Sequence, residues 1–160
     1  MAIQNPINVS IASYQAESQG GHAYIGLASD GISLVLKSSP DATTTWTLVP
    51  NVAAGAVTGG FTLYNAAGTG GNESACIPAV GNQIQLNDDP TPYGSLPYCW
   101  TLWPTNTWNG SQLWCIQDNQ RGGLMDAERE GTSDGTRINL FGSGVGDNQQ
   151  WIIRTVTAPS

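Results

Sequence analysis

The chain has 160 residues, a length that suits one domain with a core of its own. Lys and Arg total 5 against 12 Asp and Glu, a net charge of −7, which leaves too few cations to replace the counterions of a nucleic acid or to bind an anionic membrane surface. Only 11% of residues are charged and 20 are Gly, a composition of short strands and turns, yet 6 Trp and 5 Tyr need a core to pack in, which excludes disorder.

The N-terminus, Met1-Ala2-Ile3-Gln4-Asn5-Pro6-Ile7-Asn8, carries neither a basic nor an apolar leader region. The expected location is the cytoplasm, or outside the cell once a leader has been removed. No apolar run reaches bilayer-spanning length, so membrane insertion is not expected. Three similar segments then follow one another. The first has a strand near Val9, an alternating stretch Ile32-Ser33-Leu34, and Trp46 in Thr-Trp-Thr-Leu-Val-Pro. The second has Phe61, Ile84-Gln85-Leu86, and Trp100 in Cys-Trp-Thr-Leu-Trp-Pro. The third has Leu113, Ile138-Asn139-Leu140, and Trp151 in Gln-Trp-Ile-Ile-Arg. The tryptophans are 54 and 51 residues apart, and the first-strand landmarks precede them by 37, 39 and 38 residues. Order and spacing that agree three times mark an internal repeat.

Each repeat reads as four short strands separated by Gly, Asn, Asp and Pro. In the third they are expected near Leu113–Gln117, Gly123–Ala127, Thr136–Phe141 and Gln150–Thr155. The architecture predicted is all-β: a β-trefoil of three four-stranded repeats with pseudo-threefold symmetry, one domain over residues 1–160, with repeats at about 1–52, 53–107 and 108–160. Alternation sends Ile138 and Leu140 inward, and Asn139 and Phe141 outward. The repeated Trp residues belong to the core.

Cys76, Cys99 and Cys115 are odd in number and form no Cys-x-x-Cys. They are expected as free buried thiols, with a Cys76–Cys99 pair left open. His22 stands alone, as a surface or interface histidine, and no oxygen-rich calcium loop occurs; neither a metal nor a cofactor is expected. Trp103 and Trp108, near the junction of the second and third repeats, are candidates for an interaction patch.

The third repeat ends Asn148-Gln149-Gln150-Trp151, a Gln-x-Trp. With its three repeats the chain resembles the ricin-B-type (R-type) lectins over its whole length, most specifically in the third. The resemblance implies a sugar pocket built from Asp126 on a second strand, Phe141 stacking at the end of a third strand, Asn139 two positions earlier, and Asn148, with Gln149 buttressing Asp126. The chemistry is apt: an aromatic ring recognises the apolar face of a pyranose, while a carboxylate and carboxamides recognise its hydroxyls. In the second repeat Pro78 is expected at the Asp position and Asn87 at the aromatic one, with Pro97-Tyr98-Cys99-Trp100 replacing the motif. In the first, Tyr24-Ile25-Gly26-Leu27 lacks the carboxylate, Lys37 follows the strand, and Thr44-Thr45-Trp46 lacks the Gln. A longer loop in the third repeat, Glu128 to Gly135, is expected to wall the pocket.

One sugar site per chain is therefore expected. The resemblance implies glycans with terminal galactose or N-acetylgalactosamine as partners, and a stand-alone fungal or bacterial defence lectin as the type of protein. A single shallow pocket binds weakly, so useful avidity calls for oligomers, a homodimer being the simplest. Catalysis is not expected: Asp126, Glu128, Glu130 and Asp134 cluster in sequence but read as a solvated acidic rim, and no nucleophile motif occurs. A second reading stays open, a β-trefoil protease inhibitor using the Pro-rich stretch Asn87–Pro97 as a protruding loop.

Overall fold

A computed structural model of the chain describes residues 5–53, 56–69, 74–76, 83–88, 99–142 and 144–157. Twelve strands run through these residues: β1 Ile7–Ser13, β2 Tyr24–Leu27, β3 Leu34–Lys37, β4 Trp46–Ala53, β5 Ala56–Tyr64, β6 Ser74–Cys76, β7 Gln85–Asn87, β8 Trp100–Trp108, β9 Ser111–Asp118, β10 Leu124–Ala127, β11 Ile138–Phe141 and β12 Trp151–Thr155. The four strands expected in the last 50 residues lie where alternation put them. One helix was not foreseen: Tyr14–Ser18, started by the Ser13 hydroxyl, which accepts from the Ala16 backbone N–H at 3.2 Å.

Antiparallel pairing closes a ring. β1 pairs with β4 and β12, β4 with β5, β5 with β8, β8 with β9, and β9 with β12. These six strands form a barrel without a free edge. The pairs β2–β3, β6–β7 and β10–β11 are hairpins that cap one end of it. They are stitched together by backbone bonds from Leu34 N–H to Ile84 O (3.1 Å), Ile84 N–H to Ile138 O (2.9 Å) and Leu36 N–H to Thr136 O (2.8 Å). The all-β architecture fits a β-trefoil.

The same contact recurs three times in the core. Trp46, Trp100 and Trp151 are fully buried at the start of β4, β8 and β12. Each donates its indole N–H to a carbonyl in the neighbouring hairpin: Ile25 at 2.8 Å, Ala75 at 3.0 Å and Met125 at 3.2 Å. The bond satisfies the polar end of a ring whose apolar body contributes about 4–6 kcal/mol of burial as an upper figure. Around the rings pack Ile11, Ile25, Leu36, Leu48, Leu63, Ile84, Ile116 and Ile138.

Pairing also corrects the sequence alignment. Val9 lies opposite Trp46 and Phe61 opposite Trp100, but Trp114, not Leu113, lies opposite Trp151. In the second hairpin Cys76, not Pro78, follows the carbonyl that binds the Trp, and so holds the position of Asp126; Pro78 lies outside the described residues. Counting apolar landmarks cannot see a one- or two-residue offset that hydrogen bonding fixes. Cys99 and Cys115 are free thiols, as expected, but Cys99 is only half-buried, its Sγ accepting from Asn119 Nδ2 at 3.1 Å. His22 is exposed.

Candidate carbohydrate site

The β10–β11 hairpin sets out the candidate residues in register. Asp126 lies directly opposite Asn139, and Leu124 opposite Phe141. Opposed residues share a sheet face, so Asp126, Asn139, Leu124 and Phe141 all point away from the core that Met125 and Ile138 fill. Phe141 is 64% exposed and Asp126 only 7%. An open ring thus stands beside a sunken carboxylate.

A 3-10 turn, Asp147–Gln149, brings the rest of the set. Asn148 Nδ2 donates to Asp126 Oδ2 at 2.9 Å and to the Ala127 carbonyl at 3.1 Å. Gln149 is buried and its Nε2 donates to the same Asp126 oxygen at 3.0 Å. The Gln149 oxygen in turn faces the Gly146 N–H at 3.4 Å. Both amides converge on Oδ2, and Oδ1 has no partner among the described residues, so it stays open to accept from a hydroxyl. Asn139 is placed beside this cluster but is not bonded into it; its Oδ1 is buried and unpartnered among the described residues.

The Asp126 carboxyl is held above the usual carboxylate range. Burial raises it, the bonds from Gln149 and Asn148 oppose that rise, and the charges of Glu130 and Glu128 add to it. Those two glutamates are the part of the surroundings that sequence reading underused. They sit on a short turn, Glu128–Glu130, with Arg129 and Glu130 at positive φ, and Glu128 faces Arg137 at 4.0 Å. This first part of the long loop adjoins Asp126. Further along, Asp134 turns away and accepts from the Ser38 backbone N–H at 2.8 Å, so the loop straps the first hairpin instead of walling the pocket throughout.

The first hairpin shows the same frame with different contents. Counting from the Trp-bound carbonyl, Gly26 stands for Asp126, Lys37 for Phe141, and Thr43 and Thr44 for Asn148 and Gln149. A Cβ on Gly26 would lie 2.7 Å from the Lys37 Cδ and 3.0 Å from side-chain atoms of Thr43 and Thr44. The Lys37 stem fills the place of the carboxylate, and its ammonium is tied to Asp41 and Thr43.

Neither a protein-family model nor a curated protein sequence matches this chain. Solved structures do. The ricin B-like lectin of Macrolepiota procera, in complex with lactose, is similar over 96% of this chain and 98% of its own, with a TM-score of 0.66 and 20% identity. A designed 3-fold symmetric protein, ThreeFoil, is similar over 91% of this chain and 96% of its own, with a TM-score of 0.68 and 19% identity. The C-half of the earthworm R-type lectin, in complex with GalNAc, is similar over 94% of this chain and 99% of its own, with a TM-score of 0.60 and 12% identity. The chain shares its fold with ricin B-like lectins.

Proposed function

We propose that the chain is a carbohydrate-binding lectin of the ricin-B type, one domain of three repeats with a single sugar pocket in the third. Asp126 and Asn148 take sugar hydroxyls, Gln149 holds Asp126 in place, Asn139 lines the pocket and Phe141 stacks on the apolar ring face. The observation that carries the reading is Asp126: a buried carboxylate steadied by two carboxamides at one oxygen, open at the other, beside an exposed aromatic ring. A structural tie for a turn needs no exposed ring, and a surface carboxylate needs no buried glutamine.

The ligand we favour is terminal galactose or N-acetylgalactosamine. Two neighbours in fold, solved with lactose and with GalNAc, support that choice. Binding without hydrolysis is the reading we favour: Glu128 faces Arg137, and Asp126 is steadied at one oxygen by two amides, as an acceptor for a sugar hydroxyl. A dimer supplies avidity in this scheme. The loop on which a protease-inhibitor reading rests, Asn87–Pro97, lies mostly outside the described residues, and no observation favours that reading.

A glycan array with the wild type beside Asp126→Ala tests the proposal. Binding to galactose-terminated glycans that drops about 10- to 100-fold in the variant is the expected result, the size of a charged hydrogen bond. Equal binding by both proteins moves the pocket elsewhere, and no binding by the wild type ends the lectin reading.

A further inference from the structure

Among the described residues, the large apolar side chains exposed to solvent are Trp103, Phe141 and Val145. The pocket above uses only Phe141. The other two line a groove with Thr105, Cys115, Gln117 and Leu124. The groove is continuous with the pocket, because Leu124 pairs with Phe141 on one side and with Gln117 on the other. Gln117 lies opposite Thr101 in β8, and Trp103 lies two residues on, so all these side chains share one outer face. From Phe141 on β11 to Thr101 on β8 is three strand spacings, and Trp103 lies two residues further along β8, about 16 Å from Phe141 in all.

Trp103 is built to present its ring. The indole is 53% exposed, yet its N–H donates to Gln117 Oε1, and Gln117 Nε2 donates to the Gly122 carbonyl at 2.9 Å. The ring is pinned at its polar edge while its face stays open. Leu124 and Cys115 form an apolar floor, 8% and 2% exposed. None of the six lining side chains is charged. An aromatic platform rimmed by one amide, Gln117, and one hydroxyl, Thr105, without a countercharge, suits a neutral sugar ring. Three exposed apolar side chains fall short of the roughly 800 Å² per partner of a stable protein interface.

We infer that Trp103 forms a second sugar subsite, which takes the continuation of a neutral glycan whose terminal residue lies on Phe141. The inference rests on the lectin reading of the Asp126 pocket and deepens it: the ligand is a galactose-terminated oligosaccharide, not a monosaccharide. The groove sets the direction of the chain, from Asp126 across Leu124 to the indole.

Calorimetric titration tests this with three probes: galactose, lactose and the galactose-terminated tetrasaccharide lacto-N-neotetraose. The proteins are the wild type, Trp103→Ala, Trp103→Phe and Asp126→Ala, each checked for an unchanged thermal midpoint. The wild type is expected to bind the tetrasaccharide about tenfold more tightly than galactose, with most of that gain lost in Trp103→Ala, kept in part by Trp103→Phe, and galactose binding unmoved by either. Asp126→Ala is expected to lose all three ligands. Loss in Asp126→Ala with no effect of Trp103→Ala on any probe overturns the subsite and leaves the lectin reading standing. No binding of any probe by the wild type overturns both. Sedimentation adds a separate arm: a dimer that Trp103→Ala splits, with tetrasaccharide affinity unchanged, makes the patch a face between copies and overturns the subsite.

Discussion

The first and third hairpins share a backbone plan and differ in what fills it. Each is followed by a strand that begins with a buried Trp reaching back to a hairpin carbonyl, Trp46 to Ile25 and Trp151 to Met125. Both have a 3-10 turn two residues before that Trp. In the third, a carboxylate stands at the position after the carbonyl and the turn offers two amides to it. In the first, the position is Gly26, and the lysine that replaces Phe141 lays its stem into the space left. One set of side chains leaves the Asn139 oxygen without a partner among the described residues beside a carboxylate; in the other a lysine stem lies where the carboxylate would stand. Fold and site are thus separable. The indole-to-carbonyl bond recurs in both frames, and the side chains of the proposed site are the ones in which the two differ.

The largest effect that tests this separation comes from the shared frame. Trp46→Ala and Trp151→Ala are each expected to cost about 3–5 kcal/mol in chemical denaturation, because both remove a fully buried ring and orphan a carbonyl. Similar costs mark the two tryptophans as equivalent supports. A Trp46→Ala cost below about 1 kcal/mol breaks the comparison, since the first hairpin would then be held by something else.

Much of the frame was legible in the sequence because it rests on apolar spacing. The tryptophans, the inward Ile and Leu positions and the four strands of the last repeat all follow from period-2 alternation between turn residues. The Asp126–Gln149 contact was legible only through a family resemblance, since 23 residues separate the partners and no periodicity links them. The offsets at Trp114 and Cys76 depend on hydrogen-bond register, which apolar counting does not determine. The role of Lys37 was read as a missing aromatic; that its stem fills the Gly26 space is a matter of packing, visible only once both strands are in place. Trp103 stood out in sequence without a purpose, because its continuity with Phe141 runs across three strands from distant parts of the chain.

A smaller effect probes the closed slot. Gly26→Ala is expected to destabilise by about 1 kcal/mol, the low end of overpacking, because the first atom met is the flexible Lys37 stem. Lys37→Ala combined with it is expected to recover part of that loss, a coupling that two independent sites do not show. Additive costs in a double-mutant cycle mean that Lys37 does not fill the slot, and the first hairpin then differs from the third for another reason.

The smallest effect is a pH dependence confined to the third hairpin. Asp126 is pushed up in the folded protein, first by burial and then by Glu130 and Glu128, so the folded state takes up its proton before the unfolded chain does. Its contribution to stability is therefore fully present below the ordinary carboxylate pKa and is lost as pH rises through the raised one. Sugar binding runs the other way. A hydroxyl donor needs the ionised acceptor, so affinity is expected to climb with pH through the same window in which stability declines. Asp126→Asn should flatten both trends in this interval, leaving the slopes of the other carboxylates. Burial pushes Asp41, beside the first hairpin, upward, but Lys37 and Thr43 together outweigh it and hold the carboxyl below its ordinary value, so its stabilising share is lost only as pH falls. The two hairpins thus respond to acid in opposite senses. Denaturation midpoints of wild type, Asp126→Asn and Asp41→Asn across mildly acidic pH separate them, and parallel slopes in all three proteins would show that the carboxylate in the third hairpin is not buried as described.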